Sequence, residues 1–123
     1  MKLQLAKTDA RNTLTAYGED YVSINGMRHQ ANIIVLPDRL LVEWTKATFE
    51  SLAVADFELL AGLDVDVILL GTGPQLRFPA PQLLLPLIEA QKGLEVMDLP
   101  AACRTYNILA GEGRKVAACL LLA

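Results

Sequence analysis

A glycine-rich turn in the second half of the chain is the first candidate for chemistry. The apolar run of residues 65–70 ends in the sequence GTGPQL at residues 71–76, and residues 71–73 are called the GTG turn below. Backbone N–H groups of such a turn, at the carboxyl end of a central strand, can hold an anion. The dinucleotide fingerprint GxGxxG requires glycine where Leu76 stands, and Pro74 removes one N–H donor. We therefore predict no nucleotide site. Two interpretations stay open: a ligand-binding loop, or glycines that only allow a sharp exit from the strand.

A polar cluster at residues 104–107, with the sequence RTYN, is the second candidate. It lies within a predicted helix whose neighbouring residues are Ala, Cys, Ile and Leu. Thr and Asn are poor residues in the middle of a helix, so we expect specific hydrogen bonds there, either to the GTG turn or to a ligand. Arg104 could hold a carboxylate or a phosphate, whereas Tyr106 is expected to enter the core. The candidate ligand-binding residues are Gly71, Thr72, Gly73, Arg104, Thr105 and Asn107.

The other polar residues form no recognisable catalytic set or metal site. His29 is the only histidine, and no Cys, Asp or Glu stands at a ligand-like spacing from it. The nucleophile elbow GxSxG and the phosphate loop GxxxxGK[ST] are both absent from the sequence. We therefore predict no catalytic residues, no metal and no cofactor. One alternative stays open for His29, since the partners of a Ser–His or Cys–His pair meet only in the fold. Four carboxylates are expected to be solvated or to cap helices: Asp64, Asp66, Glu95 and Asp98.

The composition predicts a soluble globular protein. The chain has 123 residues, of which 53% are hydrophobic, so it can bury a core without metals or disulfides. Its 11 basic and 14 acidic residues give a net charge of −3, whereas nucleic-acid binding requires a concentrated basic surface. No apolar run approaches the about 20 residues of a membrane helix. Residues 1–5 lack the apolar core of a signal peptide, so we expect a cytoplasmic location.

The two cysteines, Cys103 and Cys119, are too few and too far apart for a disulfide framework or a CxxC redox motif. Both stand among apolar residues. We predict that they are buried, reduced thiols, because free cysteine is among the most buried residue types.

The first part of the chain is predicted to form an antiparallel β-meander. Asn25 and Gly26 follow the strand-forming residues 21–24 and are typical of a two-residue hairpin turn. A return strand is expected over residues 27–36. After a turn at 37–39, a third strand is expected over residues 40–44.

The rest of the chain is predicted to alternate helices and strands. That order gives crossover units and a mostly parallel sheet, with the meander attached to one side. No repeat or linker divides the chain, so we predict one α/β domain of residues 1–123. The predicted elements are a helix over 54–61 stopped by Gly62, a strand over 65–70, a helix from Pro81 towards Lys92 that Pro86 bends or shortens, a strand over 94–97, a helix from the N-cap Asp98 to Ala110, and a strand over 116–122.

The ordered set of these motifs resembles a small domain family of unknown function. The resemblance rests on the GTG turn and the RTYN cluster together with Glu112 and Arg114, and it extends from the Asn25-Gly26 turn to the end of the chain. The family includes proteins of the mitochondrial complex I assembly factor 3 type, the adipogenesis-associated cytosolic protein, and short bacterial and archaeal proteins. The resemblance implies three layers around a mixed, mostly parallel sheet with an N-terminal antiparallel hairpin extension, and it implies no agreed catalytic residues. Because an N-terminal import extension is missing, we expect a bacterial stand-alone member.

Three hypotheses of function follow. The leading one is a non-enzymatic domain that binds a protein partner and assists the assembly of a larger, respiratory-type complex. The alternative is a small-molecule or anion binder, or an unrecognised enzyme, whose site lies between the GTG turn and residues 104–107. The third is a homo-oligomer in which an apolar strand face meets its copy.

Overall fold

Strand-forming and helix-forming stretches alternate along the chain and give it an α/β architecture. The computed structural model describes residues 11–122, so residues 1–5, from which we expected no signal peptide, lie outside the described part. Within it the strands are β1 (Leu14–Tyr17), β2 (Val22–Ile24), β3 (Met27–His29), β4 (Ile33–Leu36), β5 (Arg39–Val42), β6 (Val67–Gly71), β7 (Glu95–Met97) and β8 (Val116–Leu120). The α-helices are α1 (Val54–Ala61), α2 (Leu85–Glu89) and α3 (Leu99–Gly111).

Strands β4 to β8 form one mixed sheet, the main sheet, in the order β5-β4-β8-β6-β7. β6 pairs in parallel with both β7 and β8, whereas β4 pairs antiparallel with both β5 and β8. Its parallel half arises from two successive crossovers, through α2 and through α3, as predicted. The mixed α/β sheet is thus confirmed, and its antiparallel half is the end of the N-terminal meander.

Separate layers cover the two faces of the main sheet. Successive residues of a strand point to opposite faces, and Ala118 lies in one core while Cys119 lies in the other. α3 and the strands β1 and β2 close the first core, to which Tyr106 and Val22 contribute. α1 and α2 close the second core, to which Phe57 contributes. Because both faces are covered, β4, β6 and β8 are almost continuously apolar.

The predicted hairpin is present, but its return strand is not continuous. Asn25 and Gly26 have φ angles of 54° and 84°, as a two-residue turn between β2 and β3 requires. The predicted strand over 27–36 is wrong, because β3 ends at His29 and β4 begins in the main sheet. Between them the buried Asn32 side chain donates to the carbonyls of Thr45 and Ala47 and accepts from the Leu122 N–H. These bonds hold the chain where it passes from one sheet to the other.

The third predicted strand is shorter than expected. β5 ends at Val42, because Glu43 takes a left-handed φ of 56° that an extended strand does not allow. The turn places Trp44 in the second core, where its indole N–H donates to the Leu120 carbonyl at 3.2 Å. Trp44 is therefore a core residue that follows the strand.

The helices agree closely with their local sequence signals. α1 spans the predicted residues and is followed by Gly62, and Asp98 caps α3 by accepting from the Ala101 N–H at 2.9 Å. The helix predicted from Pro81 to Lys92 is divided into a 3₁₀ turn, Pro81–Leu84, and the short α2. Pro86 stands in the first turn of α2, where its missing N–H is tolerated. β8 ends at Leu120, two residues before the predicted end.

Candidate functional site

The GTG turn is buried against α3, and all three of its residues are inaccessible. A Cβ atom at Gly71 would lie 3.0 Å from the Leu120 side chain and 3.1 Å from the Ala102 Cβ, so glycine allows α3 to approach the end of β6. Gly73 has a φ of 91°, and its carbonyl accepts from the Leu99 N–H at 2.7 Å. The two glycines therefore serve a sharp turn and a close helix contact.

Thr72, the polar residue of the turn, is satisfied by the chain itself. Only 1% of the residue is exposed. Its hydroxyl donates to the Gln75 carbonyl at 2.6 Å and accepts from the Arg77 N–H at 3.2 Å. Its backbone N–H donates to the Met97 carbonyl at 2.9 Å. The hydrogen bonds of Thr72 thus shape the loop that follows β6, as expected of a buried polar group.

The RTYN cluster ties α3 to the N-terminal strand. The Asn107 amide donates to the Leu14 carbonyl at 2.8 Å and accepts from the Leu14 N–H at 2.9 Å. The Tyr106 hydroxyl donates to the Asn12 carbonyl at 2.9 Å, and burial raises the pKa of Tyr106 above its usual value. The expected specific hydrogen bonds of Asn107 and the core position of Tyr106 are confirmed, whereas Thr105 makes no side-chain hydrogen bond with residues 11–122. The expected partner is corrected, because Asn107 binds β1 and not the GTG turn.

The structure does not bring Asn107 to the GTG turn. The turn contacts Leu99 and Ala102 in the first part of α3, whereas Asn107 lies five residues after Ala102, about 7.5 Å further along the helix at 1.5 Å per residue. Arg104 is exposed and Thr105 is half-buried. Ligand binding by the six candidate residues stays a prediction, and the contacts of the GTG turn and Asn107 are accounted for without a ligand.

The thiols and the histidine do not form a reactive group. Cys103 and Cys119 are free and buried, as predicted, and burial raises the pKa of Cys103 from 9.0 to about 12. His29 lies in β3 opposite Val22. Among the described residues, no cluster of three or more His, Cys, Asp or Glu side chains could hold a metal ion. Asp64, Asp66 and Glu95 are exposed.

A cavity of about 370 Å³ lies at the opposite end of the main sheet from the GTG turn, next to the segments that lead into β6 and β8. We call it the basic cavity, because four cationic side chains line it together with Asp38 and Asp64. No sequence motif indicates this cavity, since only two of the four cations are adjacent in the chain. The four are Arg11, Arg39, Arg114 and Lys115.

Four large apolar side chains between residues 76 and 88 are exposed to water, and together they are called the 76–88 surface. Leu76 and Phe78 lie in the loop before α2 and are 51% and 69% exposed, whereas Leu85 and Ile88 lie on α2 and are 52% and 63% exposed. Leu85 and Ile88 are three residues apart and share one face of the helix. The buried Leu87 holds the opposite face against the core.

These features define a class of small three-layer α/β domains built on a mixed five-stranded sheet. The family follows from the sequence itself, which matches the model of one family over residues 14–121. The chain belongs to that family, described as protein of unknown function (DUF498/DUF598).

The chain is similar to a named assembly factor and to a bacterial protein of known structure. The cattle protein named NADH dehydrogenase (ubiquinone) 1 alpha subcomplex assembly factor 3 is 26% identical over 98% of this chain. The chain spans 68% of that protein and 59% of its mouse counterpart. A crystal structure of a protein from Bordetella parapertussis is 36% identical, with a TM-score of 0.84 over 93% of this chain and 98% of that one.

Another relative bears on the location of the protein. A Francisella tularensis protein named 13 kDa major membrane protein is 29% identical over 73 residues, which is 59% of this chain and 58% of that protein. Within residues 11–122, every helix is too short or too polar to span a bilayer. The cytoplasmic location stays a prediction.

Proposed function

We propose that this protein is a non-enzymatic, protein-binding domain that assists the assembly of a larger complex of respiratory type. The proposal is supported by its family and by the cattle relative named as an assembly factor for NADH dehydrogenase, with which it shares 26% identity along almost its whole length. An assembly factor acts through contacts with proteins, so its function requires a binding surface and no reaction centre.

The observation that carries the proposal is the 76–88 surface. Phe78 and Ile88 each expose more than 60% of their area, and full burial of such a side chain contributes about 1.5–3 kcal/mol. Large exposed apolar groups on a small protein are typical of a surface that a partner covers. Glu89, which follows Ile88 in the chain, is exposed as well.

The chemistry of the described residues supports a binding role over an enzymatic one. Thr72 spends its hydroxyl on its own loop, and the thiol of Cys103 is buried with a pKa of about 12. A nucleophile requires access and a nearby base. Neither residue has access to solvent.

The test is capture of partners from a bacterial lysate, with the wild-type chain and a Phe78→Ser/Ile88→Ser variant as baits. We expect the wild type to enrich subunits of a respiratory dehydrogenase and the variant to lose them by more than tenfold, since each lost apolar contact contributes over 1.4 kcal/mol. A Met27→Ser/Ile108→Ser variant is the matched control, because these side chains are 66% and 61% exposed on other elements. Capture that is equal for all three baits, or that contains no respiratory subunit, would contradict the proposal. Thermal unfolding of each variant checks that the fold is retained.

A further inference from the structure

The basic cavity combines a charge and a shape that the proposed function does not use. Four cations and two carboxylates line it, which is a formal charge of +2 at neutral pH in a chain whose net charge is −3. The cations come from three separate segments: before β1, at the start of β5, and before β8. We propose that the basic cavity binds a small polyanion, which carries two or more negative charges on phosphate or carboxylate groups.

The backbone holds the cationic positions in place before any ligand arrives. α3 ends in a Schellman motif, in which Gly113 has a φ of 82° and the N–H groups of Gly113 and Arg114 donate to Ala110 and Leu109, each at 3.0 Å. Arg39 is held opposite Leu36 in the β4–β5 pairing. Preorganised positions lower the entropy that binding must overcome.

Arg11 links the cavity to the end of α3. Its guanidinium donates to the Ala110 carbonyl at 2.9 Å through one of its N–H groups, which orients that edge of the group, and this is its one hydrogen bond to residues 11–122. A guanidinium offers five donors, and paired N–H groups match the oxygens of a carboxylate or a phosphate.

Among residues 11–122, no ion pair within 4.0 Å involves a residue of the basic cavity, and the pair Arg77–Glu50 lies elsewhere on the molecule. Within this part of the chain, Asp38 and Asp64 therefore weaken the positive field of the cavity without pairing with a cation at contact distance. A concave site of one predominant sign concentrates the electric field and raises the local concentration of counter-ions.

The size and the walls favour a small organic anion over a macromolecule. A volume of about 370 Å³ falls within the roughly 300–1,000 Å³ of small-molecule clefts. Leu36, Pro37 and Val65 supply an apolar part of the wall. An apolar wall beside exposed cations suits an organic anion that carries a short carbon part.

The experiment is a titration of the full chain, followed by ¹H–¹⁵N NMR, with inorganic pyrophosphate in one arm and citrate in the other. We expect saturable shifts at residues 36–39, 64–65 and 113–115, and weaker binding as NaCl is added. The arm with the lower Kd identifies phosphate or carboxylate as the preferred group. Replacing Arg39 or Arg114 by Gln should weaken binding about tenfold each, as expected for the loss of one charge-assisted hydrogen bond.

The matched control is Arg28→Gln, which removes one exposed cation of the same type from β3, outside the lining of the basic cavity. Its affinity for the anion should equal that of the wild type. Two results would overturn the proposal: no saturable shift with either anion at millimolar concentration, or equal weakening by Arg28→Gln and Arg114→Gln. Since neither Arg39 nor Arg114 lies on the 76–88 surface, partner capture and anion binding can fail independently.

Discussion

Asn107 shows how one polar residue in a helix can replace a missing strand partner. The strands β1, β2 and β3 form a separate antiparallel sheet in that order, called the small sheet, so β1 is an edge strand. The Asn107 amide pairs with both the N–H and the carbonyl of Leu14 as a neighbouring peptide group would. Asparagine is unfavourable within a helix, but here its amide satisfies backbone N–H and carbonyl groups of an edge strand that no neighbouring strand pairs with. The sequence indicated that Asn107 makes a specific bond, but the partner lies 93 residues away and no local pattern identifies it.

Replacing Asn107 by alanine should lower the free energy of unfolding by about 2 kcal/mol. The change leaves a part-buried N–H and carbonyl of Leu14 without their partner, which costs about 1–3 kcal/mol. Arg104→Ala on the same helix is the control, and we expect it to stay within about 0.5 kcal/mol of the wild type because Arg104 is exposed. Urea unfolding measures both. Equal losses in the two variants would show that the Asn107 bonds contribute nothing specific.

At the scale of elements, local signals predicted the structure where the cause is local. The Asp98 cap, the Gly62 stop and the Asn25-Gly26 turn act within a few residues, and all three stand where the sequence placed them. The strand errors have a different cause. β5 stops early because Trp44 is drawn into the core, and its hydrogen-bond partner Leu120 is distant in sequence.

Candidate sites divide in the same way. The GTG turn and the RTYN cluster were visible as short motifs. In the structure, Gly71 packs against α3 and Asn107 bonds to β1, so both motifs make contacts within the fold. The basic cavity was invisible because its cations come from distant segments. Only the neighbours Arg114 and Lys115 are adjacent in the sequence. A site assembled by topology cannot be found before the topology is known.

The end of α3 allows a paired test of backbone conformation. Gly113→Ala should destabilise the protein by about 1 kcal/mol, because its φ of 82° disfavours any residue with a Cβ atom, although the space around it is open. Gly111→Ala, two residues earlier, should stabilise by about 0.5 kcal/mol, because Gly111 is the last residue of the helix and a Cβ there meets nothing within 4 Å. Thermal unfolding of both variants should shift the Tm in opposite directions. A shift of the same sign in both would contradict the Schellman geometry.

At the scale of the whole molecule, the main sheet joins two cores that could in principle unfold separately. The first lies towards α3 and the small sheet, and the second lies towards α1 and α2. β8 pairs with β4 and β6 and contributes residues to both cores. We therefore expect the two cores to unfold together, in keeping with the prediction of a single domain.

The two thiols can test that expectation, because Cys103 lies in the first core and Cys119 in the second. Burial raises the pKa of Cys103 from 9.0 to about 12 and also raises that of Cys119, so the reactive thiolate is suppressed in the folded protein. The stability linked to Cys103 is fully present below the unfolded pKa near 9.0 and is lost as the pH rises towards 12. Labelling at about pH 8 therefore reports opening of the core without causing it.

The experiment uses Cys119→Ala and Cys103→Ala, which retain one thiol each. In each variant, the labelling rate should give the same opening free energy as urea unfolding of that variant. A thiol that reacts far faster than global unfolding allows would show that its core opens alone, and the single cooperative unit would then be wrong.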